Sequence, residues 1–306
     1  MALGAATSRL SDAADVLHYL LTSGAGLRVA KSIPSRVAGR ISRAAASEAD
    51  FRVHPPVIAN SVPKSGTNLI IQIVQAFPGA RDFGTVLSSA PARPNIERPF
   101  AVQLQMIDKI APREVVRGHL FYRPEFAAAL ERHHFVHYFN YRDPRDVCIS
   151  TVHYLKSMTH YHSLHRVFAL ECANDEERLA LAIKGLPEPR PDADYPDIGA
   201  QFARYRGWMA EPSVFCTRFE DLRGDSARKV VRDMLVFYRE RTNREFDLEA
   251  SVAKAMLAID PSGSHTFRSG ETAQWKRVFT PKHRRLFKDV AGELLIELGY
   301  EKDMDW

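Results

Sequence analysis

Pro63-Lys64-Ser65-Gly66-Thr67-Asn68 is the stretch of this chain best suited to holding an oxyanion. It stands between an apolar run ending at Ser61 and a new apolar periodicity that starts at Thr67. That pattern reads as a strand, a tight loop and the start of a helix. Such a junction offers unpaired backbone N–H groups and the positive end of a helix dipole, and Lys64 adds a full charge. The lysine precedes Ser-Gly-Thr, so this is not the Gly-rich loop that ends in Gly-Lys-Ser/Thr. Arg142 closes an aromatic-rich run, Phe135 to Arg142, and Ser150 follows eight residues later. A guanidinium fork and a hydroxyl so placed suit one terminal phosphate. An ion pair of Arg142 with Asp143 or Asp146 at the surface is the competing reading. Two phosphate sites with room for a nucleoside between them imply a nucleotide phosphorylated at both ends of its ribose. Gly118-His119 ends another short apolar run and brings an imidazole to the same neighbourhood.

The elements that must position these groups alternate strand, turn and helix, which predicts an α/β fold with a mostly parallel sheet. Strands are expected at Val57 to Ser61, Glu114 to Arg117, Phe135 to Arg142 and Val214 to Phe219. Helices are expected at Thr67 to Phe77, Arg123 to His133, Ser226 to Arg239, Leu248 to Ala258 and Pro281 to Leu298, with another starting after Asp143-Pro144-Arg145-Asp146. The near-continuous apolar character of Phe135 to Arg142 marks an interior strand of a parallel sheet. Residues 79–103, with prolines at 91, 94 and 99, are expected to form a long surface connection. Residues 155–185 are expected to be mainly helical, and Gly185 to Gly199 a loop. In such a sheet ligands bind beyond the C-terminal strand ends, where the loop at 63–68, His119, Arg142 and Glu220-Asp221 all fall.

The chain of 306 residues, 45% hydrophobic and 26% charged, has ample material for a globular core. Most of its formal +5 sits in the first 47 residues, where Arg9, Arg28, Lys31, Arg36, Arg40 and Arg43 face only Asp12 and Asp15. The nearly neutral remainder is a poor footprint for nucleic acid. Residues 1–50 read as a basic, amphipathic helical extension with stripes at Leu10, Ala14, Leu17 and Leu21 and at Val29, Ile33, Val37 and Ile41. A break is expected at Gly24 to Gly26 and an interruption at Pro34. Such a segment suits peripheral contact of residues 1–47 with an anionic membrane, or an ordinary solvated helix face. Residues 51–306 read as one domain, with insertions around 84–103 and 155–200. Cys148, Cys172 and Cys216 are widely spaced, which suggests buried small hydrophobes in a reducing, cytoplasmic setting. His153, His160, His162 and His165 lack tetrahedral spacing and a cysteine pair, so no metal is expected. Trp208, Met209, Trp275 and Phe279 read as packing residues.

The motifs, taken in order, resemble the sulfotransferases that use 3'-phosphoadenosine 5'-phosphosulfate (PAPS). Pro63-Lys64-Ser65-Gly66-Thr67 is similar to that family's 5'-phosphosulfate loop. Tyr141-Arg142-Asp143-Pro144-Arg145-Asp146-Val147 with Ser150 is similar to its 3'-phosphate motif. Arg117-Gly118-His119-Leu120 resembles the segment that presents the catalytic histidine, and Phe219-Glu220-Asp221-Leu222 the strand end near adenine. Arg268-Ser269-Gly270, followed by Trp275-Lys276 and Phe279-Thr280, is similar to the C-terminal signature. The resemblance covers roughly residues 57–300. Leu69 stands where many members place a stacking tryptophan, Phe219 where tyrosine is frequent, and Ser269 where a lysine is usual.

The resemblance implies a three-layer, P-loop-like fold and in-line transfer of a sulfuryl group from PAPS to a hydroxyl, with adenosine 3',5'-bisphosphate (PAP) as product. His119 would be the base, Lys64 would stabilise the leaving phosphate, and Ser150 would bind the 3'-phosphate and restrain Lys64. Ser65, Gly66, Thr67 and Asn68 would hold the 5' end. Arg142, Phe219, Arg268, Ser269 and Gly270 would complete the nucleotide site without a metal. A nucleotide kinase would require the full Gly-rich loop and a magnesium-binding acid. A non-catalytic binding protein would be expected to have lost one of Lys64, His119, Arg142 or Ser150. The acceptor, a small molecule, carbohydrate or glycolipid alcohol, is left open by the residues.

Overall fold

The computed structural model describes residues 25–260 and 270–306, with side chains from residue 34 onward. Its centre is a five-stranded, all-parallel sheet of β1 (Val57–Ser61), β2 (Val86–Ser88), β3 (Val115–His119), β4 (Val136–Tyr141) and β5 (Val214–Arg218), in the order β2-β3-β1-β4-β5. β1 and β4 are buried along their whole length, because helices cover both faces of the sheet. The period-two alternation of the strands divides the core. Ile58, Val116 and Phe139 face one layer, with Leu179, Phe202 and Phe287 from the helices Asp175–Lys184, Ile198–Arg206 and Pro281–Glu297. Val57, Ala59, Val115 and Tyr138 face the other, with Ile70, Val231 and Val252 from the helices Thr67–Gln75, Ala227–Thr242 and Leu248–Leu257. The result is the three-layer α/β arrangement expected from the sequence.

β2 and β3 lie on one side of β1 and β4 and β5 on the other, so the strand order reverses at β1 and a crevice opens beyond its C-terminal end. Two buried asparagines shape that edge. Asn60 Oδ1 accepts the N–H groups of Ser61 and Leu120, each at 3.0 Å, and its Nδ2 donates to Leu120 O at 3.2 Å. This close approach of β1 to β3 needs Gly118, where a Cβ would lie 2.8 Å from the Asn60 Cα. Asn140 donates to the Ser65 carbonyl and accepts from Thr217 Oγ1 at 2.8 Å, tying the loop after β1 to β4 and β5.

Differences from the sequence reading fall where proline and short elements obscure periodicity. The stretch 79–103 is not only surface connection. It contains β2, whose Leu87 is buried, and the start of the helix Phe100–Asp108 behind Pro99. Three residues are too few to show a strand period, and Pro99 reads as a breaker although proline suits a helix start. The segment after His153 forms two π-helical turns, Tyr154–Met158 and Val167–Glu171, before the helix Asp175–Lys184. The helix Ile198–Arg206 begins inside the expected loop, with Asp197 accepting from Ala200 N at 2.9 Å as its cap.

One helix, Ala25–Ala45, runs through Gly26 and Pro34, so neither the second glycine nor the proline interrupts it. It meets the body where Gly39 is buried against Phe83 and Arg43 Nε donates to Asp108 O at 2.8 Å. Val37 and Ile41 are exposed, at 49% and 65%. The stripe from Leu10 to Leu21 lies outside the described residues. Ser47 caps the short helix Glu48–Val53, whose Phe51 is buried. Of the cysteines only Cys148 is buried. Cys172 is half-buried and Cys216 is exposed on the edge strand β5, so the expectation of three buried thiols is corrected.

Candidate active site

The loop after β1 turns through two left-handed residues, Lys64 at φ 67° and Gly66 at φ 90°. Glycine is needed at 66 for a second reason: a Cβ there would lie 2.4 Å from Cδ2 of Phe219, whose ring packs over it. The first bonds of the following helix run from Leu69 N and Ile70 N to Gly66 O, which leaves the N–H groups of Gly66 and Thr67 outside the helical ladder. Thr67 Oγ1 is fixed 2.7 Å from Ser61 Oγ. Lys64 Nζ lies 3.8 Å from the centre of the Tyr154 ring. The turn therefore gathers a lysine and unbonded N–H groups at a helix N-terminus, a cradle for an anion.

His119 ends β3, and its Nδ1 is 3.0 Å from the Ser61 carbonyl. A carbonyl only accepts, so Nδ1 carries the proton and donates. Burial pushes the His119 pKa below the ordinary imidazole value; the Ser61 bond opposes this, and the Lys64 charge adds to it. The neutral ring then keeps an Nε2 lone pair, as a base requires.

Arg142 is buried, with 6% of its surface exposed, which corrects the reading of a surface ion pair. Its guanidinium lies 4.4 Å over the Phe219 ring, and its Nη2 donates to Asp146 Oδ2 at 3.3 Å and to Glu271 O at 2.7 Å. Nε, although buried, has no partner among the described residues. Asp146 is thus a support for Arg142, and its other oxygen accepts from Trp275 N at 3.0 Å. Burial raises the Asp146 pKa against the pull of Arg142. Arg145, three residues on, does a different job. It pairs with Asp143 and Glu301 and lies over the rings of Trp275 and Trp306, tying the C-terminal segment to the helix Pro144–His153.

A cavity of about 570 Å³ opens at these strand ends. It brings together Lys64, Gly66, Thr67, Asn68, His119, Arg142, Ser150, Phe219 and Gly270. Ser65 is fully buried beside the cavity and its Oγ has no partner among the described residues. Arg268 and Ser269 lie outside the described residues. Trp208, Trp275 and Phe279 are core residues, as their composition suggested.

Sequence reasoning missed part of the wall. Gln72 and Asp260 exchange two bonds, 2.7 Å and 3.1 Å, next to Leu69 and Ile259. The i, i+4 spacing of Asn68 and Gln72 was the available signal for that face. Arg98, Tyr154, His162, Tyr195 and Arg204 line the other end. His162 Nδ1 accepts from Leu164 N at 3.1 Å, and its pKa is lowered to about 4 by burial and by the charges of Lys64 and His165. The ring nitrogens of its neighbours serve the protein: His160 Nδ1 donates to His165 Nε2 at 3.0 Å, and His165 Nδ1 to Leu155 O at 2.7 Å.

The model of the sulfotransferase domain family matches residues 54–299. A search of curated proteins gives no significant match. Among solved structures, the chain is similar to mouse sulfotransferase SULT7A1 complexed with PAP, at 19% identity and a TM-score of 0.56, covering 82% of this chain and 86% of that one. It is also similar to retinol dehydratase in complex with androsterone and the inactive cofactor PAP, at 13% identity, a TM-score of 0.52, and 78% and 80% coverage. A retinol dehydratase complex with retinol and PAP gives 13% identity, 0.51, and 78% and 81%.

The geometry at Gly66 gives a direct test. Gly66→Ala must relieve both an unfavourable φ and the contact with Phe219, at a cost of about 1–3 kcal/mol. Calorimetric affinity for PAP should fall at least about tenfold. An unchanged affinity in a folded variant would contradict this account of the loop.

Proposed function

Because the chain belongs to the sulfotransferase domain family, we propose that it transfers a sulfuryl group from PAPS to the hydroxyl of an organic acceptor, releasing PAP. The observation that carries this reading is the pair of buried polar atoms without partners among the described residues, Ser65 Oγ and Arg142 Nε, on either side of Gly66 and Phe219. Buried polar groups are normally bonded, so two orphans at one site mark where a ligand supplies acceptors. The 5' end belongs at Lys64, Ser65, Gly66, Thr67 and Asn68, and the 3'-phosphate at Arg142 and Ser150, with Gly270, Arg268 and Ser269 closing over it. Phe219 and Leu69 would flank the base. The PAP in the similar structures supports the same nucleotide here.

The chemistry follows from the residues. The acceptor oxygen attacks sulfur while the bond from sulfur to the bridging phosphate oxygen breaks. Its proton passes to His119 Nε2, and the charge growing on the departing oxygen is met by the Lys64 ammonium. Nothing in these steps calls for a metal. The cation–π contact with Tyr154 holds Lys64 at the junction of the donor and acceptor ends. Residues 51–306 would form the catalytic domain and residues 1–50 an extension. The acceptor is a small-molecule, carbohydrate or lipid-linked alcohol. Retinol and androsterone in the retinol dehydratase complexes support a small organic molecule.

Peripheral membrane contact is part of the same proposal. Val37 and Ile41 are exposed, each directly after an arginine, Arg36 and Arg40, on the helix Ala25–Ala45. An apolar pair flanked by cations suits an anionic bilayer surface. The double variant Val37→Asp, Ile41→Asp should lose at least half of its binding to phosphatidylserine vesicles in a sedimentation assay. Undiminished binding would refute the contact.

The base assignment predicts a pH profile. His119 acts only when neutral, and its pKa is lowered, so transfer of labelled sulfate from PAPS should be flat near pH 7 and fall on the acid side with a midpoint below 6.5. His119→Ala should reduce kcat by about 10²–10⁴ with little change in PAP affinity. A midpoint above 6.5, or a fully active variant, would rule His119 out.

A further inference from the structure

The acceptor end of the cavity contains one charge, that of Arg98, which no acid among the described residues neutralises. Ser88, the last residue of β2, pairs in register with His119, so the two strand ends lie roughly 5 Å apart. The chain leaves Ser88, loops through the prolines at 91 and 94, and returns at Arg98. There the Arg98 N–H donates to Ser89 O at 2.7 Å and Nη1 to Ser88 O at 2.5 Å. Arg98 is half-buried and lines the cavity.

Among the described residues no carboxylate lies within ion-pair distance of it. Its neighbour Glu97 is engaged by Arg123 at 2.9 Å, and Asp194, the acid of the cavity wall nearest in role, is engaged by Arg204 at 2.5 Å. Nε and Nη2 have no acceptor among the described residues, yet they are not sealed from the cavity. Burial lowers the Arg98 pKa, and no acid offsets the effect, although a guanidinium remains charged. Enclosing a cation without a counter-ion is costly, and pinning one carbonyl would need only a neutral donor.

We propose that Arg98 is the specificity-determining group for an anionic acceptor: a hydroxyl compound carrying a carboxylate or kindred oxyanion, which Nε and Nη2 grip while the hydroxyl reaches His119. The spacing of β2 and β3 puts hydroxyl and anion on the order of 10 Å apart or less. Around that path Asn95, Gln201 and Tyr195 offer further polar groups and Phe121 an apolar wall. Loop 89–99 is itself held against the segment 185–197 through Asn95 N to Asp192 O and Asp194 N to Asn95 O, each 2.8 Å. The guanidinium is therefore anchored through Nη1 and open at Nε and Nη2. The inference deepens the sulfotransferase reading, on which it rests for the hydroxyl end only.

The test is calorimetric binding of matched probes, 4-hydroxyphenylacetate against 4-hydroxyphenylacetamide and glucuronate against glucose, to the full chain with and without saturating PAP. A 4-hydroxybenzylphosphonate arm separates preference for a dianion from preference for a carboxylate. In the wild-type protein at least one acid should bind about tenfold or more tightly than its neutral partner. In Arg98→Ala that advantage should shrink to about twofold or less, and Arg98→Lys should retain part of it, with melting temperature and PAP affinity unchanged. If no acid outbinds its neutral partner, or if Arg98→Ala weakens both members equally, Arg98 is only a staple of its loop and the proposal is overturned. Failure of PAP to bind would instead count against the donor reading, while the acid-against-neutral contrast on the unliganded protein still decides the role of Arg98.

Discussion

The site depends on how the backbone leaves β1. A parallel strand that ends inside a covered sheet exposes carbonyl and N–H groups that water cannot reach, and each needs a partner. At Ser61 the carbonyl is satisfied by His119 Nδ1, and at Ser65 by Asn140. Asn60 meanwhile bonds to both backbone groups of Leu120, the residue after His119. One set of bonds closes the strand end, fixes the turn that carries Lys64 and sets the tautomer of His119. The strain of the left-handed Lys64 in that turn persists because the surrounding bonds over-determine it.

The support for Arg142 follows the same logic of buried charge. A guanidinium with 6% exposure must be held by acceptors, and Asp146, the Glu271 carbonyl and the Phe219 ring hold it without using every nitrogen. In the proposed function, what is left over serves the nucleotide. Arg145 shows the contrast: its charge is spent on Asp143 and Glu301 and on two tryptophans, so the adjacent motif residue is structural. Arg98 sits between these cases, anchored through one nitrogen only.

These properties were unevenly legible in the sequence. The strand Val57–Ser61, the turn at 63–68 and the interior strand Val136–Tyr141 announce themselves through long apolar runs broken by polar turns, and the structure places them as expected. β2 and the helix Phe100–Asp108 were hidden, the first by its three residues and the second by the proline-rich run before it. Asn60 and Asn140 could not be read as supports, because their value lies in contacts with residues 60 and 75 positions away. Nothing in the sequence around Arg98 singles it out; only the fold reveals that it is half-buried, with no ion-pair partner among the described residues.

The proposed site is built for a nucleotide with phosphates at both the 3' and 5' positions. Calorimetric titration with adenosine 3',5'-bisphosphate, run beside ATP with magnesium and repeated on Arg142→Ala, tests that most directly. Micromolar binding of the bisphosphate, at least about tenfold weaker binding of ATP, and loss of the bisphosphate signal in Arg142→Ala are predicted. Preference for ATP, or bisphosphate binding that survives removal of Arg142, would contradict it.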